Sequence, residues 1–67
     1  MIHIYLNAKK IVLNEMLTLQ EVLKRNGFVT GNFAVAINRK FIPRGQYNET
    51  EVKDGDLIDV VTPMQGG

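Results

Sequence analysis

The chain has 67 residues, with eight basic and seven acidic side chains, one histidine and no cysteine. That is room for one small domain without disulfides, and it excludes a thiolate metal site, a catalytic thiol and a side-chain persulfide. A net charge of +1, with both signs mixed along the sequence, is no electrostatic footprint for nucleic acid, and 45% apolar content argues for a packed core rather than disorder.

Ile2, Ile4 and Leu6 alternate with His3 and Tyr5, the period of a half-buried strand. The polar stretch Asn7-Ala8-Lys9-Lys10 reads as a turn into a second strand, Ile11-Val12-Leu13, so the chain opens with a hairpin. Thr18-Leu19-Gln20-Glu21 is a capping box: the Thr18 hydroxyl can accept from the Glu21 N–H while the Glu21 side chain reaches back to the Thr18 N–H. Leu17 and Val22 fit a hydrophobic staple across that cap. Lys24 and Arg25 suit the last turn, and Gly27 with Phe28 suits the exit, which predicts a helix over 19–26. Met16 and Leu17 are expected to cover its start.

Phe33 to Ile37 reads as a third strand, with Phe33, Val35 and Ile37 toward the helix and Ala34 and Ala36 away. A tight turn at Asn38-Arg39-Lys40 leads to Phe41-Ile42, an edge strand stopped by Pro43. Arg44 to Thr50 is polar, with a helical turn near Tyr47-Asn48-Glu49. Asp54-Gly55-Asp56 is a turn, and Leu57 to Thr62 is the final strand, with Ile58 and Val60 inward and Leu57, Asp59 and Val61 outward. A hairpin, one helix and later strands over the same helix face predict an α+β fold of β-grasp type. Its mixed sheet would have four to five strands, the last of them beside the first. The division is residues 1–63 as the domain and 64–67 as a flexible tail.

The tail ends in Gly66-Gly67. Without a Cβ, such a segment can pass through a narrow channel, and the reactive group would then be the carboxylate of Gly67. The bland reading is an incidental, frayed end. No apolar run is long enough for a membrane span and no leader pattern opens the chain, which predicts a cytoplasmic protein.

Ala36-Ile37-Asn38, Pro43-Arg44, Asp54-Gly55-Asp56, the apolar strand and the terminal Gly-Gly, in this order and spacing, resemble the ThiS family of thiamine-biosynthesis sulfur carriers. The likeness runs the length of the chain. Tyr47 departs from it, since tryptophan is frequent there, and Thr62-Pro63-Met64 is similar to the tail of the molybdopterin synthase small subunit. The short span from Gly27 to Phe33 favours the thiamine carriers. Ubiquitin-like modifiers and binding modules are the third reading.

The resemblance implies a carrier, not an enzyme. A ThiF-like adenylating enzyme would use ATP and magnesium to activate the Gly67 carboxylate, and a sulfur donor would convert it to a thiocarboxylate. The sulfur would then go to a ThiG-like thiazole synthase. Gly66, Gln65 and Met64 would form the tail, with no metal or cofactor held by the carrier. From the strand pattern, Ala34, Ala36, Leu57 and Val61, continued by Pro63, form an apolar face without a covering element, a candidate partner-docking patch. Arg39, Lys40 and Arg44 are candidate partners for acidic groups on the activating enzyme. Asp54, Asp56 and Asp59 lack the glutamate of a calcium loop.

Overall fold

In the computed structural model, which describes residues 1–29 and 31–62, the elements run β1 (Ile2–Leu6), β2 (Lys9–Leu13), α1 (Leu19–Arg25), β3 (Ala34–Ile37), β4 (Lys40–Ile42) and β5 (Leu57–Val61). A short 3-10 helix, Arg44–Gln46, precedes β5. The strand order is β2-β1-β5-β3-β4. β5 lies parallel to β1 and antiparallel to β3, so the last strand occupies the centre, and β4 is an edge.

Both hairpins turn on two residues at positive φ, Asn7 (51°) with Ala8 (69°) and Asn38 (51°) with Arg39 (69°). These are the twist-matched turns of two-residue hairpins, and asparagine tolerates the left-handed region better than most residues. The first turn is thus two residues rather than the expected four. Lys9 and Lys10 belong to β2, paired with Leu6 and Tyr5.

The asparagine side chains also serve the central strand. β1 stops at Leu6, yet the Val60 N–H still finds a partner, donating to Asn7 Oδ1 at 2.8 Å. On the other flank, the Leu57 N–H donates to Asn38 Oδ1 at 3.0 Å. Each turn residue therefore replaces a missing ladder acceptor. Below β5, the Asp54-Gly55-Asp56 turn is tied to β1: Gly55 N–H donates to the His3 carbonyl and His3 N–H to Asp54 Oδ1 at 2.7 Å.

Helix α1 has only seven residues, and its N-terminal donors are met largely from outside. Leu19 N–H donates to the Thr50 carbonyl at 2.7 Å and Gln20 N–H to the Tyr47 carbonyl at 3.1 Å. Glu21 N–H donates to Thr18 Oγ1 at 3.3 Å. The reciprocal Glu21-to-Thr18 bond of a full capping box is not formed among the described residues; the Thr50 and Tyr47 carbonyls supply the additional capping. At the other end, Phe28 N–H bonds the Leu23 carbonyl and Gly27 N–H the Lys24 carbonyl, a Schellman exit with Gly27 at φ 90°. The helix stops at Arg25, with Asn26 as its cap, one residue before the expected end.

Ile4, Leu6, Leu13, Leu17, Leu19, Val22, Leu23, Val35, Ile37, Ile42, Val52, Ile58 and Val60 fill the space between sheet and helix, each fully buried side chain contributing about 1.5–3 kcal/mol. Leu17 is in this core, but Met16 is exposed, so only one of the two covers the helix start. The helical turn expected near 47–49 is present, with Glu49 N–H donating to the Gln46 carbonyl at 3.1 Å, and it continues a 3-10 helix at Arg44–Gln46 whose extended cap, Pro43, accepts from Gln46 N–H. Tyr47 then drops into the core. Phe33 falls just outside β3 and is half-buried.

Two substitutions test this arrangement. Val60→Asp places an unpaired charge in the core and is expected to abolish cooperative unfolding by circular dichroism. Asn7→Ala leaves the Val60 N–H without its acceptor and strains a positive φ, costing about 1–3 kcal/mol in urea titration, whereas Asn7→Asp keeps the acceptor and recovers most of the loss.

Candidate functional site

Alternation along five paired strands divides the sheet cleanly. Ile2, Ile4, Leu6, Leu13, Val35, Ile37, Ile42, Ile58 and Val60 face the helix or its flank. Among the described residues, no helix lies over the opposite face. On β5 it shows Leu57, Asp59 and Val61; on β3, Ala34 and Ala36. Val61 is 63% exposed and Leu57 46%. The cross-strand register puts Ala34 opposite Val61 and Ala36 opposite Asp59. Four of the expected docking residues, Ala34, Ala36, Leu57 and Val61, therefore share one surface on two adjacent central strands. Ala36 is half-buried by its neighbours.

The face is wider than the sequence pattern suggested. Phe41, 62% exposed, pairs with Ala36 from β4, and Tyr5 pairs with Leu57 from β1. Val12 on β2 stands opposite His3, extending the apolar surface to the far edge. Their alternation was readable in the sequence; their adjacency required the strand order. The two alanines make β3 a shallow trough between Phe41 on one side and Leu57 and Val61 on the other, where a partner can come close to the backbone. Asp59 provides one charge at the centre, and Arg39 borders the depression formed by Tyr5, Ala8, Leu57 and Asp59.

The three cations considered together do not cluster. Arg39 borders this face, Lys40 pairs with Ile37 and so points to the helix side, and Arg44 lies over the Phe33 ring and donates to the Gly31 carbonyl at 2.8 Å. Among the described residues, no group of three His, Cys, Asp or Glu side chains is placed to hold a metal ion. Asp54 and Asp56 are engaged within the fold: Asp54 accepts from His3 N–H, and Asp56 from Lys53 N–H and the Asn38 side-chain amide. No helix is long and apolar enough to cross a membrane among those residues.

Pro63, Met64, Gln65, Gly66 and Gly67 lie outside the described residues. The chain reaches them from Val61 and the exposed Thr62, at the Ala34 end of the open face.

The family model described as "ThiS family" matches residues 3–67. A "Putative sulfur carrier protein" of Archaeoglobus fulgidus is 25% identical, over 92% of this chain and 81% of its own length. A crystal structure of the thiamine biosynthesis protein ThiS from Geobacter metallireducens superposes with a TM-score of 0.82 at 26% identity, covering 98% of this chain and all of that one. A solution structure of a thiamine biosynthesis protein from the same organism gives a TM-score of 0.77 at 27% identity, covering 98% and 88%.

The split between faces predicts that Val61→Asp and Phe41→Ser fold normally, each within about 0.5 kcal/mol of the parent in denaturant titration.

Proposed function

Because this chain belongs to the ThiS family of ubiquitin-like β-grasp sulfur carriers, we propose that it carries sulfur as a thiocarboxylate on Gly67 for thiazole formation in thiamine biosynthesis. The observation that carries the reading is the family match running through Gly67 on a fold whose last strand delivers the chain to the rim of an uncovered apolar face.

The chemistry follows from the electrophile. A carboxylate is a poor acyl donor, because its leaving group would be oxide. In the proposed activation, a Gly67 oxygen attacks the α-phosphorus of ATP held with magnesium by a ThiF-like enzyme, and pyrophosphate leaves. A sulfide-level donor then attacks the acyl carbon, and AMP departs with the electron pair of the C–O bond. The product is the thiocarboxylate. Its sulfur is nucleophilic and tethered, which raises its effective concentration at a ThiG-like acceptor. No side chain of the carrier takes part as acid, base or metal ligand in this scheme. Gly66, Gln65 and Met64 serve as the lead into the partner's active site, where glycine permits close backbone approach. The cytoplasm, where ATP is available, is the proposed place of work.

The carrier body acts as the address. Leu57, Val61, Ala34, Ala36 and Phe41 form the surface on which the activating enzyme would dock. Association of this kind draws most of its energy from a few central apolar anchors, and the exposed Val61 is the best placed of them to adjoin the tail.

Intact mass spectrometry after incubation with ATP, magnesium, a sulfur source and the cognate adenylating enzyme is the direct test. A gain equal to the sulfur–oxygen difference, mapped to the Gly67 carboxylate, is expected; isopeptide-linked conjugates would indicate a modifier instead. Removal of Gly67 is expected to leave stability unchanged and abolish ATP–pyrophosphate exchange. Val61→Asp is expected to fold and reduce that exchange at least tenfold, the equivalent of about 1.4 kcal/mol of lost docking energy.

A further inference from the structure

A second surface lies on the other side of the sheet. Along the outer flank of α1, Gln20, Leu23 and Lys24 face Phe28, Val29, Phe33, Arg44 and Tyr47 across an open groove of about 370 Å³. Its floor is aromatic. Phe28 meets Phe33 edge-on at 5.7 Å, and Phe33 stacks on Tyr47 at 6.2 Å with only 10° between the rings. Its rim is cationic: Lys24 from the helix and Arg44 from the 3-10 segment, with no carboxylate among the described lining residues.

Arg44 is not a free surface cation. Its guanidinium lies 5.2 Å from the Phe33 ring centre and donates to the Gly31 carbonyl at 2.8 Å. That bond uses one of the fork's five donors, so the remaining N–H groups are held in place with little rotamer entropy left to lose. Fixed guanidinium forks match carboxylates bidentately. Val29, 61% exposed, adds an uncovered apolar side chain at the groove's edge. Phe33 is already engaged by Tyr47 and Arg44, so the groove offers a flat nucleobase poor stacking ground.

We propose that this groove is a docking site for an acidic peptide segment of a partner protein, with an apolar side chain seated between Phe28, Leu23 and Val29 and a flanking carboxylate on Arg44 and Lys24. The argument is charge complementarity: two cations and no carboxylate among the described residues that line the apolar-floored groove. The groove and the open sheet face lie on opposite sides of the sheet, so both can be occupied at once. Phe33 also immediately precedes Ala34, the register partner of Val61. A partner held in the groove would therefore sit beside the point where the chain leaves β5. The binding itself does not depend on sulfur transfer.

The test is an amide NMR titration of the full chain with the capped peptide acetyl-Glu-Leu-Asp-Phe-amide, with acetyl-Lys-Leu-Lys-Phe-amide as the charge-reversed control. Saturable shifts at Gln20, Leu23, Lys24, Phe28 and Tyr47 with the acidic peptide, at least tenfold weaker with the basic one, support the proposal. Arg44→Gln together with Lys24→Gln is expected to weaken binding at least tenfold, while the one-dimensional methyl spectrum stays that of a folded protein. No shift at millimolar peptide, equal binding of both peptides, or shifts confined to Leu57, Val61 and Phe41 would overturn it. So would groove shifts produced in the free protein by deleting residues 63–67, which would make the chain's own tail the occupant, or by dilution, which would make it a second copy.

Discussion

The arrangement depends on the seating of β5 between β1 and β3. It is the last strand in the chain and the central one in the sheet, joined to its neighbours by a parallel and an antiparallel ladder. Neither neighbour is long enough to satisfy it alone. Asn7 and Asn38, the leading residues of the two hairpin turns, lend side-chain oxygens to Val60 and Leu57. A buried strand with orphan N–H groups would lose roughly 1–3 kcal/mol for each. The same asparagines that let the chain reverse direction thus complete the hydrogen bonding of a strand some fifty residues away in sequence for Asn7 and about twenty for Asn38.

From that seating the two surfaces follow. Once β5 is central, its odd residues fall in the middle of the open face and its even residues in the core. Leu57 and Val61 gain Tyr5 on one side and Ala34 on the other, and Ala36 brings Phe41. On the helix side, the 44–52 segment that links β4 to β5 caps the helix with the Tyr47 and Thr50 carbonyls. In doing so it brings Tyr47 and Arg44 against Phe33. One connection therefore completes a helix too short to stand alone and builds the groove beside it.

Much of this was legible in the residues. The alternation in 2–6 and 57–61 assigns both faces correctly because a period of two leaves no ambiguity once one face is apolar. Gly27-Phe28 marks the helix exit because only a left-handed residue closes a Schellman motif economically. The first turn is shorter than its polar composition predicts, because Lys9 and Lys10 belong to β2, an edge strand that carries lysine without penalty. Residues 44–52 were legible only in part: the helical turn near 47–49 is there, but its docking onto the helix answers to unpaired N–H donors, a tertiary demand with no local signature, and Val52 is buried without any periodic pattern around it. Phe41 was likewise invisible as a docking residue until the strand order placed it beside Ala36.

The central position of the final strand has a consequence for how the molecule comes into being. During synthesis the two hairpins pair neighbours in sequence and the helix awaits the Tyr47 and Thr50 carbonyls that cap it, but β1 and β3 each retain a bare edge until residues 57–61 are available. Closure must pair Tyr5 with Leu57, a loop of about fifty residues, so the entropic cost of the sheet falls on its last step. A nascent chain halted before Leu57 would present two unpaired strand edges to its surroundings, the usual templates for aggregation. The polypeptide therefore gains its fold late and all at once.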